Sequence, residues 1–170
     1  MAEVVMDIFD VIEKRHSSRI FRFGKIEREV LEKMVDAARR APSARNEQTV
    51  DFVVITEERI LQKIADFTDH GKFIAHAPAC VAVLCRYSDY YVENGSAATQ
   101  NLLLAATALG VHSCWVAGDK KAYAGVIAQF LNAPPGSKLV SLVALGYEDK
   151  PGRQAAKRPL ADVLHWEKFE

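Results

Sequence analysis

The chain has few cysteines, no excess of charge of either sign and no long apolar run. Its three cysteines, Cys80, Cys85 and Cys114, are too few and too apolar in setting for a disulfide framework, and none stands in a C-x-x-C pair. We therefore expect a reducing, cytoplasmic environment. The 22 basic residues equal the 22 acidic residues, so the charge indicates no nucleic acid or anionic membrane as a partner. No apolar run approaches the length of a membrane helix, and segment 1–7 lacks the basic region of a signal peptide.

Several familiar sites are also missing. The sequence contains no G-x-G-x-x-G, no Walker A and no G-x-S-x-G pattern, which argues against a Rossmann dinucleotide fold, a P-loop enzyme and an α/β-hydrolase. No histidine has a carboxylate or cysteine at metal-ligand spacing, so we predict structural or exposed histidines and no metal site. The five histidines are His16, His70, His76, His112 and His165.

Helical and strand patterns alternate along the 170 residues, a length that suits one compact domain. A first helix is predicted after the N-cap Asp7, and a second, centred on 30–38, must end near Ala41 because Pro42 disfavours helical geometry in the preceding residue. Strands are predicted at 50–56, 80–84, 111–116 and 139–145, and further helices at 57–68, 94–109 and 120–131. The helix at 94–109 is nearly apolar throughout, so we expect it to be central and buried.

The first candidate site consists of Arg15, Ser17 and Arg19, which follow the first helix. Two guanidinium groups and a hydroxyl at a helix end can converge on a phosphate. The alternative, which is the commoner one for an isolated Arg-x-Ser-x-Arg, is a solvated basic turn.

The second candidate is segment 42–48, where a rigid turn offers the amide side chains of Asn46 and Gln48 just before a strand. Loops in that position often bind ligands. The alternative is that Pro42 only ends the helix while Ser43 and Asn46 satisfy nearby backbone groups. The spacing favours neither interpretation.

The third candidate is segment 110–119, a strand that ends at the small residues Ala117 and Gly118. Small residues would let a flat ring approach the backbone. Trp115 and Cys114 are otherwise ordinary core residues. The sequence shows no basic neighbour of Cys114, so we assign its thiol no covalent role.

Taken together and in this order, these segments resemble the nitroreductase family. The resemblance rests on segments 15–19, 41–48, 100–106, 110–115, 143–147, 157–160 and 165–166, and it covers nearly the whole chain. It implies a single α/β (α+β) domain, a three-layer α-β-α sandwich around a mixed, mainly antiparallel sheet. It also implies a homodimer with two FMN sites at the subunit boundary. Residues 1–147 would form the FMN-binding part, and residues 148–170 would be a C-terminal extension packing on the partner subunit.

The resemblance further implies which residues hold FMN. The phosphate and ribityl chain would be held by Arg15, His16, Ser17, Arg19 and one or both of Lys157 and Arg158. The loop that reaches the flavin from the other subunit would contribute Pro42, Ser43, Ala44, Asn46 and Gln48, with Arg45 as a candidate cation for the reduced flavin. The residues beside the isoalloxazine ring would be Trp115, Val116, Ala117 and Gly118, where a backbone amide could hydrogen-bond flavin N5.

The activity that the resemblance implies is a ping-pong transfer from NADH or NADPH, through flavin N5, to a small-molecule oxidant such as a nitroaromatic or a quinone. The flavin performs the chemistry, so no catalytic acid, base or nucleophile is expected from the chain. Alternatives are a related flavin reaction, such as reductive dehalogenation or enoate reduction, and an FMN-binding storage or redox-sensing module without turnover. A flavin-free scaffold with solvated arginines is a third possibility.

Two positions depart from the family pattern. Thr49 and Val50 follow Gln48 where the family often has Pro-Trp, and Asn94 stands where many members have an acidic residue. We expect FMN binding to survive these departures, which bear instead on substrate preference.

Overall fold

The computed structural model describes residues 6–150, 152 and 154–169, and in these residues it has five α-helices and four β-strands. In chain order they are α1 (Ile8–Lys14), α2 (Arg28–Ala38), β1 (Val50–Ile55), α3 (Glu58–Phe67), β2 (Ala79–Cys85), α4 (Tyr91–Ala108), β3 (His112–Ala117), α5 (Ala124–Phe130) and β4 (Lys138–Gly146). Short 3-10 helices lie at Ala44–Asn46, Lys72–His76 and Leu160–Asp162. Every predicted helix and strand is therefore present. Among the described residues, no helix combines the length and apolarity needed to cross a membrane.

The four strands form one sheet in the order β1-β2-β4-β3, and each neighbouring pair is antiparallel. β2 is buried over its whole length and β4 over all but its first residue, because helices cover both faces of these central strands. A single parallel bridge, between Ser17 and Ser113, adds to the β3 edge in the part of the chain described. The sheet is thus mainly antiparallel, as predicted.

The two helical layers follow from the alternation of side chains along the strands. Leu142 and Val143 are neighbours on β4 and point to opposite faces of the sheet. On the Leu142 face, Ile64 of α3 and Ile127 of α5 complete one apolar core, whereas Val143 packs in a second core with Leu102 of α4. The predicted three-layer α-β-α sandwich is confirmed.

Helix α4 is central and buried, as its apolar sequence predicted. At Gly95 the helix lies so close to β4 that an added Cβ would meet Cγ2 of Val140 at 2.5 Å. Further along, the hydroxyls of Thr99 and Ser141 form a buried hydrogen bond of 2.8 Å. These contacts fix the position of α4 on the sheet.

Three predicted boundaries were wrong. Helix α4 begins at Tyr91 rather than near residue 94, and the backbone N–H of Asn94 already bonds the carbonyl of Tyr90. Helix α2 ends at Ala38 rather than near Ala41, because the backbone N–H of Ala41 bonds the carbonyl of Ala38 and closes a tighter turn before Pro42. The helix predicted at 120–131 begins only at Ala124, because Lys120 has a φ of 60°, which no α-helix accommodates.

Candidate functional site

The segment Arg15-His16-Ser17-Ser18-Arg19 leaves α1 in extended form and lies along β3. The backbone N–H of Ser18 donates to the carbonyl of Ser113 at 2.9 Å, next to the parallel Ser17–Ser113 bridge. The backbone of this segment is therefore fixed by the sheet. The first and third candidate sites of the sequence, far apart along the chain, lie side by side.

Arg15 and Arg19 have no carboxylate partner among the described residues. Arg19 is exposed and Arg15 is half-buried. The other described arginines fall into two groups: Arg28, Arg39, Arg40, Arg59 and Arg86 are each paired with an Asp or Glu, whereas the exposed Arg22, Arg45 and Arg158 have no carboxylate partner among the described residues. Two unneutralised guanidinium groups on a fixed backbone favour the anion-binding interpretation over a solvated basic turn.

The thiol of Cys114 lies close to this basic segment. Burial raises its pKa, while the charge of Arg19, a hydrogen bond with Ser17 and the charge of Arg15 each act in the opposite direction. The inference that Cys114 has no basic neighbour was wrong, because the fold brings both arginines to it from another part of the sequence. Since burial is the largest influence, the thiol stays protonated at neutral pH.

At the end of β3, Trp115 and Ala117 are exposed while Val116 and Gly118, the residue after the strand, are buried. At Gly118 an added Cβ would meet the carbonyl oxygen of Leu139 at 2.8 Å, so glycine is required there for packing against β4. Its small size therefore serves the packing of this position against β4. Because β3 is an edge strand, alternate backbone amides are not used by the sheet. Trp115 and Ala117 are the side chains placed to meet a ligand.

Segment 42–48 is organised around the buried side chain of Asn94 on α4. Its Oδ1 accepts a 2.9 Å hydrogen bond from the backbone N–H of Ala44, and its Nδ2 lies 3.4 Å from Oγ1 of Thr49. The Ser43 hydroxyl accepts from the backbone N–H of Gln48 at 3.1 Å. Ser43 thus serves its own loop, as the structural alternative predicted, and Asn94 holds the loop in place.

The same loop carries three non-glycine residues in the left-handed region. The φ angles are 53° at Arg45, 55° at Asn46 and 49° at Gln48. Such a conformation costs free energy at each residue and is commonest at functional sites. No hydrogen bond of the Asn46 side chain is found among the described residues, so its amide is available to a ligand.

The loop and the basic segment lie at opposite edges of the sheet. The loop leads into β1, whereas the segment around Arg19 lies along β3, and these strands are three strand spacings apart, about 14 Å. A single chain therefore does not bring Asn46 and Arg19 together across the sheet.

The C-terminal extension begins against the basic segment of its own chain. Nε2 of Gln154 donates to the carbonyl of Arg15 at 2.9 Å. Lys157 and Arg158 follow Gln154 by three and four residues, so the length of the chain keeps their Cα atoms within about 14 Å of that of Gln154. Both side chains are exposed. The extension thereafter exposes the large apolar side chains of Leu160, Val163, Leu164, Trp166 and Phe169.

A cluster that sequence reasoning missed joins His16, His112 and Glu148. Oε2 of Glu148 lies 3.0 Å from Nε2 of His16 and 3.6 Å from Nε2 of His112. Its carboxylate also accepts a hydrogen bond from the Ser18 hydroxyl and one of 3.0 Å from the backbone N–H of Gly152. His16 and Glu148 are 132 positions apart, so spacing in the sequence carries no sign of the contact.

The surroundings of the cluster shift two of its pKa values. Burial raises the pKa of Glu148, but the hydrogen bonds from Ser18, Gly152 and His16 outweigh it and leave the pKa below its usual range. Burial lowers the pKa of His112, helped by nearby His16 and opposed by Glu148. At neutral pH Glu148 is therefore ionised and His112 is neutral.

The sequence matches a known family over almost its whole length. A family model described as "Putative TM nitroreductase" matches residues 7–170. The chain belongs to the nitroreductase family.

Individual relatives agree with this assignment. An Archaeoglobus fulgidus protein described as "Putative NADH dehydrogenase/NAD(P)H nitroreductase" is 33% identical over 168 residues, covering 94% of this chain and 97% of its own length. Among solved structures, an FMN-dependent nitroreductase from Clostridium difficile has a TM-score of 0.88 at 25% identity, with 94% of this chain and 98% of that chain covered. A Desulfovibrio desulfuricans protein, described as "a putative nitroreductase in complex with fmn", has a TM-score of 0.84 at 26% identity, with 96% of this chain and 98% of that chain covered.

In this chain the residues matched to the family's cofactor site fall into three groups. The group along β3 contains Arg15, His16, Ser17, Arg19, Trp115, Val116, Ala117 and Gly118. The group before β1 contains Pro42, Ser43, Ala44, Asn46 and Gln48, and the extension carries Lys157 and Arg158. Residues that the sequence did not single out for these roles, namely Asn94, Glu148 and Gln154, hold the groups in place.

Proposed function

We propose that this chain is an FMN-dependent NAD(P)H oxidoreductase that passes two electrons, by a ping-pong mechanism, from NADH or NADPH to nitroaromatic or quinone-type acceptors. The observation that carries the proposal is the basic segment docked along β3, where Arg15 and Arg19 have no carboxylate partner among the described residues and their charges act on Cys114. The FMN-dependent C. difficile relative and the FMN complex of the D. desulfuricans relative support it.

The phosphate of FMN would lie at the basic segment. Arg15 and Arg19 offer charge, and the exposed hydroxyl of Ser17 lies between them in the sequence. Charge-assisted hydrogen bonds from guanidinium groups to a phosphate are among the strongest in proteins. Lys157 or Arg158 would add a further cation, since Gln154 ties the start of the extension to the same segment.

The isoalloxazine ring would lie at the outer face of β3. There the exposed side chains of Trp115 and Ala117 offer an apolar surface, and the free amides of an edge strand offer donors. Contacts from Val116 and Gly118 would come from the backbone, because both are buried. When bound, FMN would take hydride from NADH or NADPH at N5 and return two electrons to the oxidant. The chain's own task is then to bind, orient and shield the ring.

We further propose that the protein is a homodimer in which the loop before β1 completes the partner's flavin site. Two observations support this arrangement. The loop and the basic segment lie at opposite edges of the sheet within one chain, and the C-terminal extension exposes a row of large apolar side chains. Exposed apolar area of this kind is typical of a protein interface.

Initial-rate kinetics test the reaction. The FMN-loaded protein is assayed with varied NADH or NADPH and varied nitroaromatic or quinone, and parallel double-reciprocal lines are expected. Intersecting lines would contradict a ping-pong cycle. The same assay with halogenated and enoate acceptors separates the related flavin reactions. Retained FMN without turnover of any acceptor would instead favour a storage or redox-sensing module.

A further inference from the structure

The cluster of His16, His112 and Glu148 has the composition of a metal site, and its side chains have no part in the electron transfer proposed above. Its three members come from the segment after α1, the first residue of β3 and the chain beyond β4. The three ligand atoms all lie within 4.8 Å of one another. The side chains are 11%, 28% and 9% exposed, in that order, so they are shielded from water without being sealed.

The orientation of His16 leaves one ring nitrogen directed at the carboxylate. Nδ1 lies 3.0 Å from the carbonyl oxygen of Lys14 and Nε2 lies 3.0 Å from Oε2 of Glu148, so both ring nitrogens face groups that only accept hydrogen bonds. A single ring proton satisfies one of these two contacts. With that proton on Nδ1, the contact between Nε2 and Oε2 needs a positive charge between the two atoms, either a second proton on the imidazole or a metal ion. A histidine that donates its other N–H to a carbonyl is the usual arrangement of a metal ligand.

The Nε2 atom of His112 also faces the carboxylate of Glu148. Its Nδ1 is buried and has no hydrogen-bond partner in the part of the chain described, so Nε2 is its one interacting nitrogen there. A tetrahedral ion with bonds of about 2.0–2.1 Å separates its ligand atoms by about 3.3 Å. The two distances to Oε2 of Glu148, 3.0 and 3.6 Å, lie on either side of that value. Small side-chain movements would therefore close the set around an ion.

We propose that His16, His112 and Glu148 bind a divalent transition-metal ion of the Zn²⁺ type. Two imidazoles and one carboxylate suit such an ion better than Mg²⁺ or Ca²⁺, which prefer oxygen ligands. A cavity of about 330 Å³ adjoins His16 and His112, so water or another small ligand could occupy the fourth position. The hydrogen bonds from Ser18 and Gly152 hold the carboxylate in place. The ion would tie the start of the C-terminal extension to the basic segment. This proposal differs from the prediction of no metal site that was made from the sequence.

The test is a titration of the EDTA-treated, dialysed full chain with Zn²⁺ by calorimetry and with Co²⁺ by absorption spectroscopy. One ion per chain is expected, together with a rise in the midpoint of thermal unfolding on adding Zn²⁺. His112→Ala and Glu148→Gln should each weaken Zn²⁺ binding by at least about 100-fold, since even the residues supporting metal ligands contribute about 10- to 100-fold. His70→Ala is the matched control, because His70 is exposed and outside the cluster.

NMR of the unaltered protein keeps the test informative if a variant fails to fold. On adding Zn²⁺, the imidazole signals of His16 and His112 should shift while that of His70 does not. The proposal is overturned if Zn²⁺ does not bind, if all three variants bind it equally, or if these imidazole signals do not move. The cluster would then be a proton-bridged ion pair. These readouts do not involve FMN, so they are independent of the proposed oxidoreductase activity.

Discussion

At the scale of single residues, Arg19 is one of the cations proposed to bind the FMN phosphate. Replacing it with alanine should weaken FMN binding by about tenfold to a hundredfold, because a hydrogen bond to a charged group contributes about 1.5–3 kcal/mol. Fluorescence titration of FMN into the flavin-free protein measures the dissociation constant. Protein stability should change little, since Arg19 is exposed.

Arg59→Ala provides the control for this experiment. Arg59 is an exposed arginine paired with Glu57 and far from the basic segment in sequence. Its loss should leave FMN affinity unchanged. Equal affinities of the Arg19 and Arg59 variants would remove Arg19 from the phosphate site.

Asn94 makes a second prediction at this scale. Replacing Asn94 with alanine leaves the backbone N–H of Ala44 without its acceptor and should destabilise the protein by about 1–3 kcal/mol. It should also weaken FMN binding, because the loop that carries Asn46 loses its anchor. Urea denaturation and FMN titration measure the two effects. Gln62→Ala, which removes an exposed amide on α3, should change neither, and a stable Asn94→Ala with normal affinity would contradict this role.

The residue types of the site could be predicted from the sequence, but their neighbours could not. Arg15, Ser17 and Arg19 stand out because cations and a hydroxyl follow a helix. Glu148 gave no such signal, because its contacts with His16 and Ser18 join positions more than a hundred residues apart. Asn94 was noticed as a departure from the family pattern, but its bond to Ala44 depends on how α4 packs.

At the scale of elements, the packing of α4 on β4 can be tested with two glycines. Gly95→Ala should destabilise the protein by about 1–3 kcal/mol, because the new Cβ would overlap Val140. Gly125→Ala on α5 should instead stabilise it by about 0.4–1 kcal/mol. The new Cβ would have no atom within 4 Å outside its chain neighbours and its own helix backbone, and alanine restricts the unfolded chain. Urea denaturation measures both. The contact between α4 and β4 would be refuted by stabilisation of both variants.

The elements themselves were predictable because hydrophobic periodicity and burial agree along most of the chain. The runs that became β2 and β4 are apolar because both of their faces meet helices, and that signal is local. Two of the three wrong boundaries lie where local geometry overrides the pattern. A tight turn follows Ala38, and Lys120 adopts a left-handed conformation that could not be predicted from a lysine.

At the scale of the whole molecule, the proposed shared site can be tested with mixed dimers. One subunit carries Arg19→Ala and the other Asn46→Gly, a change that tolerates the positive φ at this position. If Arg19 and Asn46 of different subunits meet, the mixed dimer has one intact and one doubly changed site. An FMN titration should then show one site with unaltered affinity.

The opposite result of the mixed-dimer experiment is equally clear. If both residues act within one chain, each site of the mixed dimer carries one change. The titration then shows two weakened sites and no site of unaltered affinity. A protein that is monomeric in solution would likewise contradict the shared site.

The central claim, an FMN-dependent oxidoreductase, is tested most directly by the absorption spectrum of the FMN-supplemented and desalted protein, followed without oxygen. The account predicts that flavin bands are retained, that they bleach on adding NADH or NADPH, and that a nitroaromatic or quinone restores them. Retained bands that neither donor bleaches would contradict the oxidoreductase, and the absence of flavin bands would contradict FMN binding itself.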